Sequence, residues 1–247
     1  MFTTENKNYR DDLKILIEKL KNGETFSFSK YADGELHILS NLPINNGEFW
    51  FIPEKNGINR QDMIDSLRFK HDNYYVGVSC PCCIGGLPVH NWYKKQSGQN
   101  LENLTWANLF VNGNHSYYIE KMVPLYLNYK VVLVSNSDSN LNSLPFEVEK
   151  HFKIGKNAWV KNLNVVSEIK QYIDENEISN YLFLFCAGPF GNILTHQLFD
   201  HNKNNTYIDI GSTLNHFLLG DAGKNRGYLR KESSINKVCI WEYKDEH

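Results

Sequence analysis

The stretch at residues 181–192, YLFLFCAGPFGN, decides the fold class. Its first six residues form a continuous apolar run, which is the pattern of a strand buried on both faces of a sheet. Gly188 and Pro189 then predict a tight turn into a helix, because proline suits the first helical position, where its missing N–H is not needed. We expect that helix to cover residues 190–199. A buried strand that leads straight into a helix is the building unit of a mostly parallel α/β sheet.

The same alternation extends through the 247 residues. Further strands are predicted at residues 26–31, 74–79, 130–135 and 207–210, with a late edge strand at 238–243. Helices are predicted at residues 9–21, 34–40, 60–69, 104–111, 116–127, 143–151 and 165–176. Phenylalanine and serine alternate in the first strand, which predicts two unlike faces. No flexible linker divides the chain, so we predict a single domain over residues 1–247, of the α/β class. It is Rossmann-like, with a mostly parallel sheet and helices on both faces.

Composition and charge argue against several classes of function. The chain has 26 basic and 28 acidic residues and a net charge of -2. It lacks the basic stripe that nucleic-acid binding needs. No apolar stretch approaches the ~20 residues of a membrane span, and the N-terminus has no signal-like apolar run, so we expect a cytoplasmic protein. The most basic segment, with Lys224, Arg226, Arg230 and Lys231, would suit one pyrophosphate or form a solvated surface loop.

The five cysteines are an odd number, and Cys80, Cys82 and Cys83 lie close together in the sequence. A secreted disulfide scaffold has a different pattern. A zinc site would need a second pair of ligands at matching spacing, but Cys186 and Cys239 are isolated, although His90 is near the first three. We therefore predict reduced, partly buried thiols at the end of a strand.

The first motif that could carry chemistry is SKYADGE at residues 29–35. Asp33 and Glu35 follow the end of a predicted strand, and Gly34 between them permits a tight turn. Carboxylates in this position can hold Mg²⁺ or Mn²⁺, which prefer oxygen ligands and can neutralise a leaving diphosphate. The alternative is structural: Asp33 caps the next helix and Glu35 lies in its first turn.

The second motif is the turn at residues 187–192, AGPFGN. Gly188 and Pro189 would begin the helix there, and the free amides of Gly191 and Asn192 would point out of its first turn. Such amides and the helix dipole attract phosphate. The alternative is an ordinary strand-to-helix turn without a ligand. The turn is neither a Gly-x-Gly-x-x-Gly sequence nor a P-loop with its lysine.

The third motif, TYIDIGS at residues 206–212, places Asp209 near another strand end. Asp209 is our first candidate for the general base that accepts a proton from an acceptor hydroxyl. His115 and His216 are weaker candidates. Ser135 and Asn136 follow a buried strand, where they could contact a base or a sugar.

Taken in order, these motifs resemble the bacterial glycosyltransferases of the GT-D fold, a family once known only as a domain of unknown function. The matching stretches are KYADGE at 30–35, the strand and Gly-Pro turn at 182–189, and YIDIG at 207–211. The resemblance implies that Asp33 and Glu35 are associated with the metal and the nucleotide sugar. It also places Lys30, Tyr31 and Gly34 at the nucleotide-sugar site. Lys30 stands where the family has arginine, so it carries charge without the bidentate fork.

The predicted function is therefore metal-dependent transfer of a sugar, with Mn²⁺ or Mg²⁺, from a nucleotide-diphosphate sugar to a carbohydrate acceptor in glycan or glycoprotein biosynthesis. The resemblance implies a UDP-sugar as the donor. Two alternatives stay open. One is a metal-dependent phosphohydrolase of nucleotide sugars that uses the same carboxylates to orient water. The other is a non-catalytic module that binds nucleotide or glycan through the helix start and its aromatic residues.

Overall fold

The computed structural model describes residues 7–225 and 237–242. Its strands are β1 Ser27–Tyr31, β2 Ile44–Asn45, β3 Trp50–Phe51, β4 Tyr74–Val78, β5 Leu104–Trp106, β6 Val131–Asn136, β7 Lys150–Ile154, β8 Leu182–Phe185 and β9 Thr206–Asp209. Its α-helices are α1 Tyr9–Lys21, α2 Asp33–Leu39, α3 Gly57–Arg68, α4 Gly86–Ser97, α5 His115–Tyr117, α6 Ala158–Lys161, α7 Asn164–Glu175, α8 Pro189–His201 and α9 Asn215–Leu218. A π-helical turn, Tyr118–Met122, and a 3-10 helix, Val123–Asn128, continue α5.

Seven strands form one parallel sheet in the order β5-β4-β1-β9-β8-β6-β7, and β2 pairs with β3 as a separate antiparallel hairpin. After β6 the chain moves outward to β7, then returns through β8 to β9 in the middle. The strand order therefore reverses between β6 and β8, and ligands of open α/β sheets bind in the crevice outside such a reversal. All carboxyl ends lie at one edge, so the loops that follow the strands meet there.

Both faces of the sheet are covered, as predicted. All four residues of β8 are buried, and successive side chains of a strand point to opposite faces. On β1, the Ser27 hydroxyl donates to the carbonyl of Thr195 in α8, at 3.0 Å. Phe28 points the other way and packs against Phe110, with ring centroids 5.1 Å apart. These contacts confirm a single α/β domain with a Rossmann-like arrangement.

The two faces of β1 are unlike, as predicted, and both are buried. Ser27 and Ser29 are fully buried. Their hydroxyls are satisfied by α8, since Ser29 accepts a hydrogen bond from Asn192 at 3.0 Å. Serine in this strand therefore joins sheet to helix and does not mark a solvent face.

Three segments differ from their predicted structure. Residues 104–106 form the edge strand β5 and not a helix, because β4 pairs with them and the chain then turns. The segment 143–151 is not helical, since Pro145 interrupts it and its end belongs to β7. Residues 238–242 form no strand, and the Trp106 indole donates a hydrogen bond to the carbonyl of Ile240 at 3.3 Å. Tyr243 lies outside the described residues.

Helix α4 was not predicted, because the sequence around it is rich in glycine, proline and cysteine. Pro88 lies in its first turn, where a missing N–H is tolerated. Within the described ranges, no helix combines the length and apolar character required to cross a bilayer.

Candidate active site

Strand β1 delivers the first motif to the carboxyl edge of the sheet. Helix α2 begins at Asp33, whose side chain is exposed, and Glu35 is buried at 5% exposure. Glu35 Oε2 accepts a hydrogen bond from the Ala32 amide at 2.9 Å. The structural role foreseen for Glu35 is therefore present, while Asp33 follows the N-cap position, which Ala32 occupies. One carboxylate oxygen of Glu35 remains for another ligand.

Strand β9 places Asp209 beside this motif. Its carboxyl is 1% exposed, and Oδ1 accepts from the Gly211 amide at 3.0 Å, whereas Oδ2 is buried without a hydrogen-bond partner. Burial raises the pKa of Asp209 to about 7; the Lys30 ammonium opposes this rise and the Glu35 carboxylate adds to it. We call Lys30, Glu35 and Asp209, with Asp33 at the rim, the carboxylate centre.

Two glycines allow the backbone to approach the carboxylate centre closely. A Cβ on Gly191 would lie 2.9 Å from Cγ of Asp209, and one on Gly211 would lie 2.5 Å from Cε of Lys30. Gly211 also has a φ of 54°, which favours glycine. Any side chain at either position would displace Asp209 or Lys30.

The turn between β8 and α8 does not present the free amide that the sequence predicted. The Gly191 amide donates to the carbonyl of Gly188 at 2.9 Å, because the first turn of the helix closes on itself. Asn192 is fully buried and its Nδ2 donates to the carbonyl of Lys30 at 2.6 Å. Its Oδ1 has no hydrogen-bond partner. Gly191 and Asn192 thus contact Asp209 and Lys30, respectively, from the start of α8.

A first cavity of about 160 Å³, open to solvent, lies over the carboxyl ends of β6 and β8. This is the point where the strand order reverses. Four of the predicted nucleotide-sugar residues line it: Ser135, Asn136, Gly188 and Pro189.

The hairpin β2–β3 covers one side of the first cavity, and sequence reasoning missed it. Asn157 fixes the hairpin: its amide donates to the carbonyl of Glu48, and its Oδ1 accepts from the Trp50 amide, both at 2.9 Å. Phe49 thereby lines the cavity and contacts the starts of two helices, since a Cβ on Gly34 would lie 2.5 Å from its Cζ and one on Gly188 would lie 3.7 Å from its Cδ1. The left-handed φ of 56° at Asn157 could not be read from the sequence.

A second cavity of about 560 Å³ lies on the other side of the carboxylate centre. Lys30, Ile210, Ser212 and Thr213 form its inner wall. Its outer wall includes Cys82, Cys83, Asn108, Asn112 and Lys237. By strand order β1 and β9 lie between the two cavities; within the carboxylate centre, Lys30 lines the second cavity, and Asp33, Glu35 and Asp209 line neither.

Other predicted residues lie away from both cavities. Tyr31 is fully buried and its hydroxyl donates to Ser66 at 2.8 Å, which makes it part of the core. His115 and His216 face each other with ring centroids 5.8 Å apart, and burial lowers the pKa of His115 to about 4. Lys224 is exposed, while the rest of the basic segment, Arg226, Arg230 and Lys231, lies outside the described residues.

Comparison with known proteins identifies the fold. No protein-family model matches the chain, and no curated protein is similar to it in sequence. The chain is similar in structure to a glycosyltransferase (DUF1792) from Streptococcus sanguinis, with 15% identity, a TM-score of 0.60 and 94% of each chain covered. It is also similar to a selenomethionine-substituted DUF1792 structure, at 15% identity and a TM-score of 0.54, with 94% of this chain and 90% of that one covered.

A third similar structure is described as the highly conserved DUF1792 domain with a distinct glycosyltransferase fold. It is 17% identical, with a TM-score of 0.52 and the same coverage, 94% and 90%. The predicted resemblance is thus confirmed for the fold, which is that of the DUF1792 glycosyltransferase structures.

Proposed function

We propose that this protein is a metal-dependent glycosyltransferase that moves a sugar from a nucleotide-diphosphate sugar to a carbohydrate acceptor. The observation that carries the proposal is the position of the carboxylate centre between two cavities at one sheet edge. Group transfer between two bound molecules needs a site for each and a charged centre where they meet. The likeness to glycosyltransferase structures supports the same activity through the fold.

The first cavity suits the nucleotide of the donor. It lies at the reversal of strand order, and Asn136 brings an amide group that can recognise a base or a ribose. The sugar diphosphate would extend from there toward Lys30 and the two acidic residues of α2. The resemblance implies uridine as the base. The second cavity then receives the acceptor.

The residues present fit a hard divalent cation. Asp33 offers an exposed carboxylate, Glu35 has one oxygen that Ala32 does not use, and the oxygens of Asp209 and Asn192 include two buried acceptors without donors. Mg²⁺ and Mn²⁺ are commonly held by one or two carboxylates together with substrate phosphates. Asp33 and Glu35 would hold the ion, which would supply Lewis-acid stabilisation of the leaving diphosphate.

Lys30 and Asp209 act as a pair in this scheme. Lys30 reaches the second cavity and would place a positive charge beside the diphosphate. Asp209 is buried near it, and the ionised form of its carboxyl attracts the ammonium. The general-base role predicted for Asp209 requires an acceptor hydroxyl to reach this enclosed carboxyl, and it stays a prediction.

The phosphohydrolase alternative has less support. Hydrolytic metal sites gather several carboxylate and histidine ligands. In residues 7–225 and 237–242, no three Asp, Glu or His side chains lie close enough together to share an ion. The binding-module alternative would give neither Asp33 nor Glu35 a role as a metal ligand.

Product analysis separates the three functions. Nucleotide sugars are incubated with Mn²⁺ and a panel of simple glycosides and free sugars, and products are read by mass spectrometry. A glycosylated acceptor, formed with the wild type and not with Glu35→Gln, supports transfer. Free sugar that no acceptor diverts points to hydrolysis, and tight binding without turnover points to a module.

Asp11→Asn is the matched control for Asp33→Asn. Both aspartates are exposed and lie in the first turn of a helix, so each substitution removes the same helix-dipole interaction. Only Asp33 belongs to the carboxylate centre. Equal loss of transfer in the two variants would contradict a metal role for Asp33.

A further inference from the structure

The structure brings together four cysteines that the sequence keeps apart. Cys80, Cys82 and Cys83 lie in the turn between β4 and α4, and Cys239 lies in the segment 237–242. All are free thiols, and their four sulfur atoms lie within 4.8 Å of one another. We call them the cysteine cluster, and we propose that it binds one structural Zn²⁺ ion through four thiolates.

The expectation that Cys239 stands alone is therefore wrong. Its distance from the others along the chain hid the fourth ligand. Cys80 and Cys83 already have the C-x₂-C spacing that recurs in structural zinc sites. The Cys83 amide donates to the carbonyl of Cys80 at 3.1 Å, which closes the tight turn that such a pair needs. His90 is not part of this set, since among the described residues only the four cysteines place their ligand atoms within 4.8 Å of one another, and its Nδ1 is hydrogen-bonded to the carbonyl of Ser79 at 2.9 Å.

The separations suit one ion. Zinc–sulfur bonds of about 2.3 Å in a tetrahedron place the sulfurs about 3.8 Å apart. The Cys80 and Cys82 sulfurs are 3.4 Å apart, and no pair in the cluster exceeds 4.8 Å, so small side-chain shifts give the ideal geometry. An iron–sulfur cluster holds several irons between its thiolates and spreads the sulfurs further. A tetrahedral set of four sulfurs is typical of zinc among single ions.

Hydrogen-bond donors already point at three of the four sulfurs. Asn108 Nδ2 lies 3.2 Å from Cys83 Sγ, and Asn112 Nδ2 lies 3.5 Å from Cys239 Sγ. The backbone amide of Ile240 lies 3.4 Å from Cys82 Sγ. Donors around the ligand atoms orient metal sites and stabilise thiolate charge. Cysteines packed in an apolar core would not have three hydrogen-bond donors beside their sulfur atoms.

A positively charged side chain beside the cysteine cluster would offset part of the negative charge of a zinc tetrathiolate site. Four thiolates and one Zn²⁺ carry a net charge of about -2. The ammonium of Lys237 lies at the rim of the cluster, where it donates to the carbonyl of Cys82 at 2.7 Å. Cys80 and Cys239 are buried, while Cys82 and Cys83 are half-buried, so the cluster has a closed side and an entry side. This is the arrangement of a structural site with a path for metal loading.

The ion would fasten the segment 237–242 to the body of the domain. Lys237 accepts a hydrogen bond from the Gly113 amide at 2.8 Å, and Trp241 packs on Trp106 with ring centroids 5.0 Å apart. Cys82, Cys83 and Lys237 form part of the outer wall of the second cavity. Zinc would therefore set the shape of that wall. This inference uses no step of the proposed transfer reaction and can fail independently of it.

Metal analysis of the full chain, freed of any affinity tag, tests the inference. Plasma mass spectrometry of the purified wild type is expected to find about one zinc per chain. Cys82→Ser and Cys239→Ser are each expected to lose most of it. Cys186→Ala is the matched control, because Cys186 is the fifth cysteine and lies outside the cluster. That variant should keep its zinc.

A second measurement needs no variant. A mercurial thiol reagent added to folded wild-type protein should release one zinc, seen with a zinc indicator, as four thiols react. Three results would overturn the inference: four reactive thiols with no metal released, iron in place of zinc, or disulfides among the four cysteines by mass spectrometry.

Discussion

The carboxylate centre and the cysteine cluster lie at the same edge of the sheet, yet they are assembled in different ways. Lys30 and Asp209 end or nearly end neighbouring strands, so the parallel pairing of β1 with β9 brings them together. The cysteine cluster needs a segment far along the chain to return to the turn after β4. One site offers hard oxygen atoms and the other soft sulfur atoms, so they would select different metals from the same solution. Parallel strand pairing is thus enough to bring the parts of the carboxylate centre together. The cysteine cluster also requires a distant segment of the chain to fold back.

The largest expected effect separates the two sites by activity. Glu35→Gln keeps an acceptor for the Ala32 amide, so helix α2 should stay intact, but the carboxylate charge is lost. We expect transfer to fall by about 100- to 1000-fold, the scale of losing one preorganised electrostatic group. Steady-state kinetics with Mn²⁺ measure the rate, and thermal unfolding checks the fold. A rate within a few-fold of wild type would remove Glu35 from the reaction.

The next effect contrasts the two metals. Mild chelation should abolish transfer without changing the unfolding midpoint, and Mn²⁺ should restore it. Prolonged treatment with a strong zinc chelator should lower the midpoint by several degrees, since about 1 kcal/mol corresponds to roughly 2–4 °C in a chain of this size. Only zinc should reverse that loss. If Mn²⁺ restores both properties, the comparison between a hard and a soft site fails.

A pH effect is expected from Asp209 in metal-free protein. Burial raises its pKa from 3.8 to about 7, so the folded state holds a proton that the unfolded state releases. The contribution of Asp209 to stability is fully present below the unfolded value and is lost as pH rises through about 7. The Asp209→Asn variant lacks this dependence. Urea unfolding of both proteins at about pH 5 and about pH 8 measures it, and parallel pH profiles would contradict the effect.

The smallest effect concerns the first cavity. A methyl group at Gly34 would lie 2.5 Å from the Phe49 ring and displace it from the cavity wall. We expect Gly34→Ala to weaken nucleotide binding by about 10-fold, or roughly 1.4 kcal/mol. Gly57→Ala is the matched control, because Gly57 also begins a helix and has open space around it. Calorimetric titration compares the two; equal affinities would show that Phe49 does not contact the nucleotide.

The sequence predicted the central strands because their burial on both faces leaves a continuous apolar run. Edge strands lack that signal: β5 has only three residues, and its aromatic and leucine residues fit a helical pattern equally well. Strand β7 has exposed positions, so it also lacks a continuous apolar run that would predict a strand. Strand position in the sheet, which depends on tertiary pairing, decided where prediction succeeded.

The site was predictable to the extent that its residues follow strands. Asp33, Glu35 and Asp209 were candidates because they follow strands, and the family resemblance then favoured a functional role for Asp33 and Glu35 over a structural one. Phe49 was not, because it reaches the first cavity through a hairpin that is fixed by Asn157, whose own backbone is left-handed. The role of Gly191 was misjudged because a helix start can satisfy its own amides. Contacts of this kind depend on local geometry that residue types do not specify.

Metal-dependent nucleotide binding is the property that defines the proposed donor site. Thermal unfolding is measured with a panel of nucleoside diphosphates and nucleotide sugars, each with Mn²⁺ and without added metal. A ligand at 100 times its dissociation constant adds about 2.7 kcal/mol, which moves the midpoint by several degrees. The account predicts that one diphosphate nucleotide stabilises the wild type only with Mn²⁺, and that Asp33→Asn erases the shift. If no nucleotide shifts the midpoint under either condition, the carboxylate centre is not a donor site, and Asp33 and Glu35 serve only to stabilise helix α2.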